Sequence, residues 1–340
     1  MASSVPKVKL HGGLNISRIL NGMWQVSGAH GAIDPQKAVP EMVKYYDAGL
    51  TSFDMADIYG PSENMFNQFL QKLRRERGED SVKSVQGLTK WVPRPGPMTR
   101  QIVEQNIDRS LHRMGVEKLD SLQFHWWDYN DKRYLDALGH MADLQNEGKI
   151  GELALTNFDT QRMKEISDKG IRISTNQVQY SIIDRRPAVK MAEFCQAHDI
   201  KLLTYGTIGG GLISEKYLDV PEPAGRRELN TASLGKYKQM IDAWGGWKLF
   251  QELLKVLDGI AKSHNVSIPN VATRYILDQP AVGGVIIGCR LGVKGAEHIS
   301  DNLRTFTFDL TQSDTEKIEA VCRRSQDLFA RIGDCGDEYR

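Results

Sequence analysis

The sequence predicts an α/β fold: a closed (β/α)8 barrel of the TIM type, with an N-terminal β-hairpin and a C-terminal tail helix over the barrel. Three observations carry that prediction. Short apolar runs alternate with amphipathic stretches of helical period from Ile19 to about His298, and eight such units can be counted. No GxGxxG follows the first run, which disfavours a doubly wound dinucleotide-binding sheet. Polar residues stand at the ends of several runs, and the strands of a parallel barrel bring such residues from distant parts of the chain to one mouth. The 340 residues fit one domain over 1–340, since barrels occupy about 250 residues before insertions.

Taken in order, residues 8–19 (VKLHGGLNISRI) read as two short strands around the two-residue turn Gly12-Gly13, a cover for the bottom of the barrel. Residues 19–24 (ILNGMW) form the first inner strand, and Asp34-Pro35 caps and opens a helix that stops at Gly49. The second strand carries Asp54, and a helix follows over 63–77. A strand over 82–90 precedes a helix over 99–114 with Ile102, Ile107 and Leu111 on one face. Further strands are expected at 121–125, 150–156 (IGELALT), 174–180 (STNQVQY), 200–205 (IKLLTY) and 282–287 (VGGVII). The helices between them fall at 133–146, 160–169, 187–198, 247–264 and 268–277. Residues 206–246, rich in Gly, Pro and charge, read as a long loop over the mouth with short helical pieces. In the tail, Thr311 and Ser313 act as caps of a helix through Val321, and the final RIGDCGDEYR is expected to cross the barrel near the mouth.

Composition excludes several classes. A hydrophobic content of 40%, a charged content of 26% and a net charge of +1 describe an ordinary globular chain with no footprint for nucleic acid. No apolar run approaches the ~20 residues that span a bilayer, and MASSVPKVKLHGG lacks the apolar core of a secretory signal. Cys195, Cys289, Cys322 and Cys335 form no CxxC pair, so neither a metal site nor a disulfide framework is expected, and a cytoplasmic location is.

The chemistry centres on residues 51–63, TSFDMADIYGPSE, which place Asp54 and Tyr59 at the end of a strand. Lys90 closes 85–90 (VQGLTK) and His125 closes 122–125 (LQFH), so all four residues should meet at the mouth. A tyrosine titrates near pH ~10, too high for an acid at neutrality. An ammonium at Lys90 would favour its phenolate, and Asp54 would hold that lysine charged. Tyr59 then serves as a general acid, while a ring N–H of His125 orients a carbonyl oxygen and stabilises the charge that grows on it.

This arrangement resembles the aldo-keto reductases, whose Asp, Tyr, Lys and His tetrad matches Asp54, Tyr59, Lys90 and His125 in identity, order and approximate spacing. The resemblance implies NADPH-dependent reduction of an aldehyde or ketone, with alcohol oxidation open to the same groups. It also implies a cofactor side at NADPH/NADP+ contacts in the same mouth. Thr156-Asn157 stands where the family usually has Ser-Asn, and Gln177 where it has Gln, both toward the nicotinamide carboxamide. Tyr205, followed by Gly206, matches the aromatic that stacks on the ring. After the last strand, IIGCRLGVKGAEHISDN departs from the family pattern by extra residues. Gly288 begins that segment, Asp301 and Asn302 match the adenine-contacting pair, and Arg290, Lys294 and His298 are the cations for a 2′-phosphate.

Trp24, Trp91, Trp126 and Trp127 lie at or beyond strand ends and are read as an aromatic-walled substrate pocket, suited to flat aldehydes or to the C–H faces of sugars. The partner is then a small-molecule carbonyl, acting on a monomer or small homo-oligomer. Two other functions stand beside the reductase. One is a cofactor-binding subunit with little turnover, similar to channel β subunits, which would require a protein-interaction surface and usually an extended N-terminal segment. The other is an aldolase or isomerase with Lys90 as Schiff base, which the pairing with Asp54 disfavours.

Overall fold

The computed structural model describes residues 5–28, 33–223, 225, 227–293 and 297–336. Two strands outside the barrel, β1 (Lys7–Lys9) and β2 (Asn15–Ser17), pair antiparallel. The turn between them spans five residues rather than two: the Leu10 N–H donates to the Leu14 carbonyl (2.8 Å), and Gly13 takes φ +102. Burial sets this geometry. Leu10 and Ile16 turn into the barrel floor against Leu20, Leu88 and Leu203, so the hairpin is a plug as well as a cover. Glu152 fastens it from below, accepting from the N–H groups of Gly12 (3.0 Å) and Leu14 (3.1 Å).

Eight parallel strands close the barrel: β3 (Ile19–Gly22), β4 (Ser52–Asp54), β5 (Gln86–Trp91), β6 (Leu119–His125), β7 (Ile150–Thr156), β8 (Thr175–Gln179), β9 (Lys201–Tyr205) and β10 (Val282–Gly288), with β10 returning to pair with β3. The helices lie outside. They are α1 (Pro35–Asp47), α2 (Ser62–Arg77), α3 (Glu79–Lys83), α4 (Arg100–Met114), α5 (Arg133–Asn146), α6 (Thr160–Asp168) and α7 (Met191–Ala197), then α8 (Ala232–Trp244), α9 (Gly246–His264), α10 (Ile268–Leu277), α11 (Ile299–Arg304), α12 (Gln312–Cys322) and α13 (Leu328–Ile332). Local chemistry fixes many boundaries. Asp34 caps α1 through the Gln36 N–H (3.0 Å) with Pro35 at the first helical position, and Ser267 and Asn270 form a capping box on α10.

Four expectations from the sequence are corrected. Val82 and Lys83 belong to α3 rather than to a strand, because Gly78 at φ +83 ends α2 and Glu79-Asp80 start a new turn where a helix favours acids. The buried face of α4 is Val103, Ile107, Ser110 and Met114, while Ile102 and Leu111 are half-buried. The helix expected over 187–198 is broken at Lys190 (φ −148), with a 3-10 turn at Arg186–Ala188 held by the Arg186–Asp184 ion pair at 2.9 Å. The region 206–246 contains, besides 3-10 turns at Gly209–Gly211 and Glu215–Tyr217, the 13-residue helix α8. Its buried Leu234, Tyr237, Ile241 and Trp244 recur at helical spacing, and Thr231 caps it through the Leu234 N–H (3.2 Å).

In the tail, Thr311 caps α12, and Ser313 lies inside the helix. Beyond α13, the Asp334 carboxylate accepts from the Thr160 N–H (2.8 Å), and Arg186 donates to the Asp334 carbonyl (3.4 Å). The Gly336 backbone packs so closely on the Asn157 carbonyl that a Cβ there would overlap it, so the tail does reach the rim of the mouth. Among the described residues no helix is long and apolar enough to cross a membrane, and all four cysteines are buried and unbridged.

Candidate active site

Register and alternation assemble the mouth. Lys90 pairs with Gln123 across β5 and β6, His125 with Thr156 across β6 and β7, and Thr156 with Gln177 across β7 and β8. Since successive strand side chains point to opposite faces, Gln123 and His125 face the same interior. Asp54 closes β4, and its Oδ1 accepts from Lys90 Nζ (2.7 Å), Gln123 Nε2 (2.8 Å) and Gln177 Nε2 (2.8 Å). Lys90 Nζ also donates to Asp54 Oδ2 (2.7 Å) and to the Met55 carbonyl (2.8 Å), so its three protons meet three oxygens. Burial pushes the Lys90 ammonium down from its ordinary range, against the opposing charges of Asp54 and Asp57.

Tyr59 stands above this pair on a tight turn. The Tyr59 N–H donates to the Ala56 carbonyl (3.1 Å), and the Ser62 N–H to the Tyr59 carbonyl (3.1 Å). Lys90 Nζ lies 5.2 Å from the centroid of the Tyr59 ring, which brings the ammonium against the phenol. Its direct bonds go to Asp54 and Met55, so its effect on Tyr59 is that of a nearby positive charge. His125 is buried, with its ring 4.3 Å from that of Trp127, and its pKa is pushed down to about 4 by burial, by Lys90 and by Lys236. The imidazole is therefore neutral at physiological pH and can donate an N–H to a carbonyl oxygen.

Sequence reasoning missed three members of this neighbourhood. Gln123 joins Asp54 to Gln177, whose Nε2 also donates to Gln123 Oε1 (2.7 Å); its signal was a polar residue two positions before His125 on the same face. Asp57 fastens the Tyr59 turn to β5: its N–H donates to the Lys90 carbonyl (2.9 Å), and the Val92 N–H donates to its Oδ1 (3.2 Å). Burial and the neighbouring Glu63 raise the Asp57 carboxyl to about 6. Lys236 arrives on α8, which the sequence did not reveal, and its Nζ lies 5.0 Å from the Tyr205 ring centroid.

The cofactor candidates divide into two groups. At the mouth, Thr156 is buried, and its Oγ1 has no hydrogen-bond partner among the described residues, an orphaned polar atom that fits a ligand amide. Asn157 is left-handed at φ +58, and its Oδ1 accepts from the Tyr205 hydroxyl (2.9 Å). Gly206, at φ +71, has no room for a Cβ, which would stand 2.6 Å from Tyr237. Farther out, Gly288 is exposed against the Gln25 side chain, and Arg290 and His298 are exposed on the segment after β10. Lys294 lies outside the described residues. Asp301 accepts from Ser267 Oγ (2.9 Å), and Asn302 is buried on α11. The donors and aromatic face at the mouth fit a nicotinamide, and the exposed cations fit a phosphate.

The four tryptophans separate. Trp127 is 39% exposed beside His125, and Trp24 is half-buried on the 3-10 turn Trp24–Ser27, so both can face a substrate. Trp91 and Trp126 cannot. With Lys90 and His125 facing in, the next residues face out, and both indoles are buried in the helix layer, Trp91 at 5.5 Å and Trp126 at 5.9 Å from the Phe124 ring. Trp126 Nε1 donates to the carbonyls of Asp128 (2.7 Å) and Asp131 (3.0 Å), a structural role.

Comparison with known proteins places this geometry in a wider setting. The model of the Aldo/keto reductase family matches residues 18–323. An aryl-alcohol dehydrogenase from Pestalotiopsis microspora is 28% identical over 323 residues, covering 91% of this chain and 77% of that protein. An NADH-specific methylglyoxal reductase from Escherichia coli is 22% identical over 88% of this chain and 93% of its own. Among solved structures, a glycerol dehydrogenase from Gluconobacter oxydans superposes with a TM-score of 0.76 at 20% identity, covering 98% of both chains.

Proposed function

The chain belongs to the aldo/keto reductase family, and on that premise we propose that it reduces an aldehyde or ketone to the alcohol by hydride transfer from NADPH, with Tyr59 as general acid assisted by Lys90, Asp54 and His125. The observation that carries this reading is the Lys90 ammonium, bound to Asp54 by two 2.7 Å contacts and set against the Tyr59 ring.

A nicotinamide bound in its reduced form would supply the hydride for the carbonyl carbon. Thr156, Asn157, Gln177 and Tyr205 would hold its ring, and Gly206, Gly288, Arg290, His298, Asp301 and Asn302 its outer part. The remaining work is done by this chain's own groups. As negative charge develops on the carbonyl oxygen, the Tyr59 hydroxyl gives it a proton, and the nearby Lys90 charge stabilises the phenolate that is left. Asp54 keeps the ammonium in place, while Gln123 and Gln177 hold Asp54. Neutral His125 contributes an N–H to the same oxygen, and being uncharged it does not compete as an acid. Trp24 and Trp127 give flat apolar walls to the substrate.

The test is a panel of aromatic aldehydes, short aliphatic aldehydes, dicarbonyls and sugars, with NADPH consumption followed at its absorbance band. Saturable turnover on at least one class supports the reading. Binding of NADPH without turnover on any class would replace it with that of a cofactor-binding subunit.

A further inference from the structure

The reduction mechanism leaves the tail beyond α13 without a task, although its last described residues lie against a group assigned to grip the nicotinamide. Asn157 is held at φ +58, a conformation few residues adopt. Four neighbours fix it there. Its N–H donates to the Gln177 carbonyl (2.8 Å), its Oδ1 accepts from the Tyr205 hydroxyl (2.9 Å), its carbonyl accepts from the Tyr129 hydroxyl, and the Gly336 backbone closes over that same carbonyl. Tyr129 is buried, with its ring edge-on to those of Tyr134 (6.2 Å) and Phe158 (5.3 Å). At Gly336, where φ is +95, a Cβ would overlap the Asn157 carbonyl oxygen and stand 3.2 Å from the Tyr129 hydroxyl oxygen, so this close approach requires glycine.

Two attachments keep the tail in that place. Asp334 Oδ2 accepts from the Thr160 N–H (2.8 Å) at the start of α6, while its Oδ1 accepts from the Cys335 N–H (2.8 Å). Arg186 donates to the Asp334 carbonyl (3.4 Å) out of its buried ion pair with Asp184, and that carboxylate also accepts from Gln179 Nε2 (2.8 Å) at the end of β8. The tail is thereby fastened beside both strands, β7 and β8, whose ends carry the nicotinamide candidates.

We propose that Asp334 and Gly336 are positioning residues for the nicotinamide: the tail seats the Asn157 backbone, and through it sets the Asn157 carboxamide and the adjoining Thr156 hydroxyl against the ring. This rests on the reductase reading and deepens it. Packed neighbours pass a displacement on instead of absorbing it, so a methyl group forced between Gly336 and Asn157 must move the grip itself. The outer part of the cofactor is assigned to the segment after β10, which β8 and β9 separate from β7 in the barrel. That part should not feel the tail.

The experiment measures binding to the full chain by isothermal titration calorimetry, with NADPH and with 2′,5′-ADP, a fragment that keeps the adenosine phosphates and lacks the nicotinamide. Gly336→Ala and Asp334→Ala should each raise the Kd for NADPH about five- to tenfold, the effect of one amide hydrogen bond, and leave that for 2′,5′-ADP unchanged. Asp334→Asn, which keeps one acceptor oxygen, should lie between the parent and Asp334→Ala. A tail that merely supported the barrel would weaken both ligands together or neither, and either result overturns the inference while leaving the reductase reading standing. Should Gly336→Ala fail to fold, the Asp334 variants decide by the same comparison. A parent protein that binds NADPH no more tightly than 2′,5′-ADP would show that the nicotinamide is not held at Asn157, and the assignment of that site would fall together with the inference.

Discussion

Removing the Asp54 carboxylate should cost the protein more stability than removing both members of its ion pair. In Asp54→Ala, the Lys90 ammonium loses two contacts of 2.7 Å in a place where its side chain is only 2% exposed. A buried charge left without its partner costs about 3–5 kcal/mol. The same change strips an acceptor from Gln123 Nε2 and Gln177 Nε2, though Gln177 keeps its bond to Gln123, so one orphaned amide adds about 1–3 kcal/mol. A loss of about 4–8 kcal/mol is expected for the single variant. Lys90→Met in the same background removes the stranded charge with a side chain of similar length, and the double variant should recover about 3 kcal/mol or more of that loss. Urea unfolding of the four proteins of the cycle, read by tryptophan fluorescence, measures the coupling directly. If Asp54→Ala cost less than about 1 kcal/mol, the value of an exposed pair, or if Lys90→Met added to the loss, the account of a dry, mutually dependent pair would be wrong.

Two further outcomes follow from the same geometry. His125 and Asp57 should produce opposite pH dependences of stability. Lowered from 6.5 to about 4, His125 contributes stability that is complete above pH 6.5 and is lost as the pH falls toward 4. Raised from 3.8 to about 6, Asp57 contributes stability that is complete below pH 3.8 and is lost as the pH rises through 6. Each effect is about 3 kcal/mol, so the wild-type curve is nearly flat between pH 4 and 6.5. Asp57→Asn should uncover the His125 limb, with stability falling as the pH drops; a variant curve as flat as the parent's would contradict the two assignments. For the cofactor, Arg290→Ala should weaken NADPH about tenfold or more, by the loss of one charge-assisted phosphate contact, with NADH affinity little changed. Equal affinities for the two cofactors in the parent protein would remove the basis for that preference.

Much of the architecture was legible because barrel strands announce themselves as apolar runs that end in polar residues. Asp54, Lys90 and His125 each end or nearly end such a run, and all three sit at the same end of the closed barrel. Alternation along the strands carries more information than the strand ends do. It places Gln123 beside His125 inside the barrel, and it sends Trp91 and Trp126 outward, yet a cluster of indoles near strand ends reads as a pocket until the facing of each is worked out. Helix α8 was hidden by its setting: Gly235 lies within it, and Pro and Gly precede it, so its apolar face at Leu234, Tyr237, Ile241 and Trp244 looks like scattered residues in a loop. Lys236 was hidden with it. The Gly12-Gly13 turn was misjudged because burial of Leu10, and not turn preference alone, sets the register of the hairpin.

The proton-donating role of Tyr59 is tested most directly by Tyr59→Phe, assayed on the best carbonyl substrate with NADPH affinity measured in parallel. The hydroxyl is the only group removed, and the Lys90–Asp54 pair beneath it keeps its own bonds. Turnover should fall by at least the ~10²- to 10⁴-fold that general acid catalysis supplies, while NADPH binds as before. Near-normal turnover in the Phe variant would mean that another group delivers the proton and that the Asp54, Tyr59, Lys90 and His125 cluster is not the reacting centre.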